Sequence, residues 1–189
     1  MSIWSWFAPK KPVVMPAPEI NPPDEAQDSN IRATVSPRPF DQVGQYFYAY
    51  EFTASQTAAR MGRTIVPTPE QWRNVFALVD QVLDPARRYL DTPIRISSGV
   101  RPVWLNAKIG GAANSAHISG RAADCTAMGL TAVEFAQLLH SSRIKFDKCI
   151  VEYGQWVHLQ VAETGNIPRR EIWTARYSGG GTVYTPGLA

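Results

Sequence analysis

Three side chains in this sequence could grip a cation: His117 and Asp124, both within SAHISGRAAD, and His158, within WVH. Imidazole nitrogen and carboxylate oxygen suit zinc, and a catalytic zinc keeps three protein ligands with a fourth position open to water. The spacing of His117 and Asp124 suits a loop feeding a strand, with the histidine on the loop and the aspartate in the strand. Gly120, Ala122 and Ala123 between them are small, so backbone can pack close around an ion without blocking the open position. His158 lies beyond an intervening helical segment and would arrive from a neighbouring strand. Two imidazoles and one carboxylate would leave a divalent zinc with residual positive charge, a good Lewis acid. Spacing alone also fits a plainer reading, because a lone strand histidine is more often a packed or surface residue.

The elements that must position these groups are marked by caps and periodicity. TASQTAARMG is expected to form a helix with a capping box from Thr53 to Gln56 and a stop at Gly62. In TPEQWRNVFALVDQVLDPARRYL, Thr68 caps, Pro69 takes the first helical position and Gln71 completes the box. Trp72, Val75, Phe76, Val79, Val82 and Leu83 recur at helical spacing, and Pro85 kinks or restarts the helix. IRISSG alternates like a strand, VWLNAKIGG reads as a short helix closed by Gly110 and Gly111, and RAADCTA is a strand candidate. TAVEFAQLLHSS opens with a box from Thr131 to Glu134 and offers a face of Val133, Phe135, Leu138 and Leu139. KCIVEY and WVHLQV are two strands joined by a tight hairpin at Gly154 and Gln155. Helices first and short strands after predict an α+β fold with a small, mostly antiparallel sheet packed against helices.

The chain has 189 residues, enough for one domain and a tail, and 44% hydrophobic residues can build a core. Eight of its 15 prolines fall within residues 1–40, which predicts an extended Pro-rich tail or tether there. Its aromatic start, Trp4, Trp6 and Phe7, could anchor onto a partner. The folded domain is expected over 41–178, with a Gly-rich C-terminal tail over 179–189. A net charge of +3 is too mild to argue for nucleic acid. No apolar run is long enough to span a bilayer, and MSIWSWFAPKK has the marks of no signal peptide. Cys125 and Cys149, far apart in sequence, suit buried free thiols; in a strand Cys125 would turn away from Asp124 into the core. His140 ends a helix, where a cation suits the dipole.

The combined pattern Ser98-Gly99-x-Arg101, then Ser115-x-His117-x-x-Gly120-x-Ala122-x-Asp124, then Trp156-x-His158 resembles the zinc D-alanyl-D-alanine carboxypeptidase family. Phage L-alanyl-D-glutamate endopeptidases and the vancomycin-resistance dipeptidases are among that family's relatives. The likeness covers about residues 46–176, including YEFTASQTAARMG and RREIWTAR at the flanks. It implies zinc on His117, Asp124 and His158, and hydrolysis of peptide bonds in peptidoglycan stem peptides. In the dipeptidase relatives the general base stands three residues before the last histidine, where this chain has Gln155, which cannot take a proton. In the sub-branch it most resembles, the acid sits six residues before, at Glu152. Strand parity puts Glu152 and His158 on one face, although the turn between them disturbs the count. The likeness also implies Arg101 at the reacting carbonyl oxygen, where a fixed guanidinium suits growing charge. Ser115 would touch substrate or orient its loop, and Trp156 would shape the site. A wall-cutting domain of this kind resembles a bacteriophage protein, either a lysis enzyme or a virion-associated component. It would sit in the host cytoplasm or the virion, act at the periplasm or cell wall, and dock to phage structural proteins through residues 1–40. The competing expectation is a non-catalytic zinc-stabilised structural or binding module of a phage particle, kept open by Gln155.

Overall fold

The computed structural model describes residues 36–188. The tail expected over 1–40 therefore lies outside the described residues except at 36–40. Helices α1 (Ala49–Thr53) and α2 (Gln56–Arg60) come first. Thr53 does not cap α2. Its hydroxyl donates back to the Tyr50 carbonyl, and Ser55 caps instead, accepting the Ala58 N–H at 3.2 Å. Both residues are cap types, and the one already spent inside the preceding helix is the one that fails. The stop at Gly62 holds, with φ +63°. Helix α3 (Pro69–Leu78) starts with the box of Thr68 and Gln71. It runs through a π-helical turn, Val79–Leu83, into α4 (Asp84–Leu90), with the wide turn falling just before Pro85. A π turn spares the carbonyls that a proline cannot satisfy, so the axis continues instead of breaking.

Strands β1 (Ile94–Ser98) and β2 (Ala122–Ala127) flank the short helix α5 (Val103–Lys108), and helix α6 (Ala132–Ser141) leads to β3 (Lys148–Glu152) and β4 (Trp156–Gln160). Strands β5 (Glu171–Ser178) and β6 (Gly181–Pro186) complete one six-stranded sheet of order β1-β2-β4-β3-β5-β6. All neighbours are antiparallel except β3 and β5. The architecture is α+β, as the sequence predicts. Two local expectations change. The β3–β4 turn centres on Tyr153 and Gly154, both at positive φ, and the Gln155 N–H donates to the Glu152 carbonyl at 2.9 Å. Residues 181–186, expected to be tail, are a strand. They are exposed along their whole length, so no alternation of polar and apolar residues marks them.

One face of the sheet is core. Ala123 and Cys125 from β2, Cys149 and Val151 from β3, and Val157 and Leu159 from β4 join Phe47, Phe52, Leu78, Leu83, Phe135 and Phe146 in one cluster. Helix α6 buries Ala132, Phe135, Ala136 and Leu139, an i, i+3, i+4, i+7 stripe. Leu138, expected on that face, is exposed. Each fully buried large side chain contributes about 1.5–3 kcal/mol. Because side chains alternate along a strand, the residues between these core positions must point to the other face. That is where Asp124, Glu152 and His158 lie.

A clamp at the sheet end fixes β5 beside β3. The buried Asp147 carboxylate accepts the backbone N–H, Nε and Nη2 of Arg169 and the Nε2 of Gln160, at 2.6–3.2 Å. The next residue, Arg170 at φ +55°, donates from Nη2 to the carbonyls of His140 and Ser142 at the end of α6. The Arg169 hydrogen bonds hold the Asp147 carboxyl below its ordinary value. A folded-state pKa below the unfolded one stabilises the fold above the unfolded value of about 3.9, and that contribution is lost as pH falls through the folded value. Asp147→Ala is expected to cost about 1 kcal/mol, since the half-exposed Arg169 guanidinium can return to water once its partner is gone. Urea unfolding across pH 2–7 should show a shallower acid-side loss in the variant than in the wild type.

Candidate metal centre

His117 sits on the loop between α5 and β2 and is fully buried. Helix α3 pins this loop. Gln71 Nε2 donates to the Ile118 carbonyl at 2.7 Å and Asn74 Nδ2 to the Ser119 carbonyl at 2.8 Å. Gly120, at φ +78°, lies so close that a Cβ would stand 2.6 Å from the Gln71 carbonyl oxygen. Thus Gln71, legible in sequence as a helix cap, also holds the loop. Sequence gave no sign of that second use, because the contact spans 47 positions.

The three predicted ligands meet. His117 Nε2 is 3.0 Å from Asp124 Oδ1, His158 Nδ1 is 3.0 Å from the same oxygen, and the two ring nitrogens are 3.1 Å apart. All three residues are buried. Asp124 and His158 are direct cross-strand partners of β2 and β4. Ligands held about 2.0–2.1 Å from a tetrahedral zinc stand about 3.3 Å apart, so the triangle has the right size.

The protonation states fit as well. His117 Nδ1 lies 2.7 Å from the Gly99 carbonyl oxygen, which can only accept, so Nδ1 carries the proton. Burial lowers the His117 pKa and keeps the ring neutral. Nε2 therefore presents a lone pair. Burial works against a charged Asp124, and a cation seated between the three groups would offset that cost. Lone pairs of an imidazole and a carboxylate facing each other at 3.0 Å repel unless a cation lies between them. Gly99, which supplies the orienting carbonyl, has no room for a side chain, since a Cβ would stand 2.5 Å from Phe52 Cα.

Of the triad, His158 lines a cleft of about 700 Å³ together with Arg101, Ser115, Glu152 and Trp156 among others. Glu152 pairs with Trp156 and Ile150 with His158, so Glu152, Trp156 and His158 share one face, as strand parity predicts. Gln155 is exposed in the hairpin turn, outside the cleft lining. Trp156 Nε1–H donates to Glu152 Oε2 at 3.1 Å, a contact the sequence reading missed. Burial, then the Asp124 charge, pushes the Glu152 carboxyl up, and the Trp156 bond moderates this. Arg101 reaches Asp124 Oδ2 with Nη1 at 3.7 Å and Ser115 Oγ with Nη2 at 3.4 Å. Its buried Nε has no hydrogen-bond partner among the described residues. Cys125 and Cys149 are buried free thiols on the core side, away from the cleft.

No helix among the described residues is long and apolar enough to cross a membrane. No curated protein matches the chain. The model of one protein family, described as Peptidase M15, matches residues 45–160. That range spans more than half of the chain and carries Arg101, His117, Asp124, Glu152 and His158, so the chain belongs to the peptidase M15 family.

Proposed function

We propose that the protein is a zinc-dependent peptidase that hydrolyses peptide bonds in peptidoglycan stem peptides. The observation that carries this reading is the buried triangle of candidate ligand atoms from His117, Asp124 and His158 with Glu152 on the same sheet face. The three ligand residues would hold the ion. When bound, zinc supplies Lewis acidity and lowers the pKa of water at its open position towards about 7. Glu152 accepts the proton of the attacking water and returns it to the leaving amine. Trp156 occupies Glu152 Oε2, which orients the carboxylate and leaves the other oxygen to handle the proton. Arg101 faces the reacting carbonyl oxygen. Its Nη groups are braced by Asp124 and Ser115, and such a preplaced guanidinium stabilises growing negative charge without reorganising. Ser115 serves in this reading by bracing Arg101 at the cleft wall.

Arg101, Arg121 and Lys148 line the cleft with Glu152, and each cation has a carboxylate beside it, Asp124, Glu163 and Glu171 respectively. The setting we propose is a bacteriophage, with the protein serving in lysis or on the virion and acting at the cell wall. Its Pro-rich residues 1–40, with Trp4, Trp6 and Phe7, would tether it to phage structural proteins.

Purified protein incubated with peptidoglycan should release new amine termini detectable by mass spectrometry. Glu152→Gln should lower the rate on the order of 10²–10⁴-fold while keeping zinc. A zinc-loaded wild type that releases nothing would leave the non-catalytic binding module as the better reading. His117→Ala should lose stoichiometric zinc in elemental analysis of the dialysed protein, and chelation of the wild type should abolish hydrolysis. The acid limb of kcat/KM should lie above the ordinary glutamate value of about 4.3, because burial raises Glu152. Trp156→Phe removes the bond that favours the charged form, so it should move that limb to higher pH.

A further inference from the structure

The family match ends at residue 160, yet the cleft continues beyond it. Trp173 from β5 and Thr182 and Tyr184 from β6 line the same cavity as Glu152 and His158. Register explains how. Glu152 pairs with Ala175, and Ala175 pairs with Tyr184, so all three share one row and one face of the sheet. The residue between is an alanine and is fully buried, so a phenol on β6 can lean across β5 towards Glu152. The strand that carries Tyr184 is held in place. Tyr153 Oη and Thr182 Oγ1 are hydrogen-bonded at 2.7 Å, which ties β6 to the β3–β4 turn, and Thr174 Oγ1 donates to the Gly187 carbonyl at 2.8 Å. Tyr184 is half exposed; partial desolvation on its cleft side, then the charge of Glu152, raises its pKa, so the hydroxyl keeps its proton. No residue among those described accepts a hydrogen bond from it.

We propose that Tyr184 is a substrate-contacting residue whose phenolic O–H donates a hydrogen bond to a backbone carbonyl oxygen of the peptide lying across Glu152, and so sets which peptide bond stands at the metal centre. The β5–β6 hairpin is then the specificity wall of the cleft, added to the part of the domain that the family shares. This rests on the cleft being a peptide site, as proposed above. The hydrogen bond is made on binding and involves no net proton transfer.

The test uses the zinc-loaded full chain and a synthetic L-Ala-D-Glu-L-Lys-D-Ala-D-Ala pentapeptide. Tyr184→Phe keeps the ring and removes the hydroxyl; it should raise KM about three- to tenfold with kcat within about twofold. Tyr184→Ala should lose more. An unchanged urea midpoint in Tyr184→Phe excludes a folding defect. Binding is read separately by calorimetry on Glu152→Gln and on the Glu152→Gln/Tyr184→Phe double variant. Weaker binding by the double variant supports the inference even if the wild type cuts nothing, in which case the hydrolase reading alone fails. Equal affinity of the two proteins, equal KM of Tyr184→Phe and wild type, or no detectable binding by either protein overturns it.

Discussion

The fold is organised around an unfavourable contact. A buried neutral imidazole and a buried carboxylate face each other lone pair to lone pair at 3.0 Å, with a second imidazole at 3.1 Å. Such a cluster is costly unless a cation compensates it. Several parts of the chain share the work of holding it. Gly99 fixes the tautomer through its carbonyl, Gln71 and Asn74 hold the His117 loop, and the β2–β4 ladder sets Asp124 against His158. Arg101 adds nearby positive charge at 3.7 Å from Asp124. Each of these contacts is made by the polypeptide itself, so the candidate ligand atoms are braced by protein hydrogen bonds and strand pairing.

The sheet makes this possible by dividing its faces. Alternate residues of β2, β3 and β4 are core, and the residues between them, Asp124, Glu152 and His158 included, lie on the other face. Cys125 and Asp124 are adjacent in sequence and serve opposite faces, the thiol in the hydrophobic cluster and the carboxylate at the candidate metal centre. A one-residue slip of β2 against β4 would exchange those roles, which is why register here is fixed by burial as strongly as by hydrogen bonds.

Much of the candidate site was legible because it is local. His117, Asp124 and the small residues between them belong to one loop-and-strand segment, and His158 sits in a strand with clear alternation. The helix starts at Thr68 and Thr131 were legible for the same reason, since a capping box spans only four residues. The failures lie where a choice is not local. Thr53 and Ser55 are both cap residues, and only the packing of α1 decides between them. Strand β6 is exposed throughout, so no alternation separates it from a Gly-rich tail; its pairing with β5 is what defines it. The neighbours of Glu152 also escaped notice. Trp156 lies across a hairpin whose turn sits one residue earlier than Gly154 and Gln155 suggested, and Tyr184 lies two strands away.

Gln71 binds both ends of a chain of contacts: its Oε1 accepts the Thr68 N–H at the start of α3, and its Nε2 holds the loop that carries His117. One amide group therefore serves as helix cap and as strut. Fraying of the first turn of α3 and loosening of the His117 loop become a single opening event. An ion that binds only the closed loop must then suppress that event by mass action, so occupancy at the centre is communicated to backbone amides at Gln71 and Trp72 that never approach it.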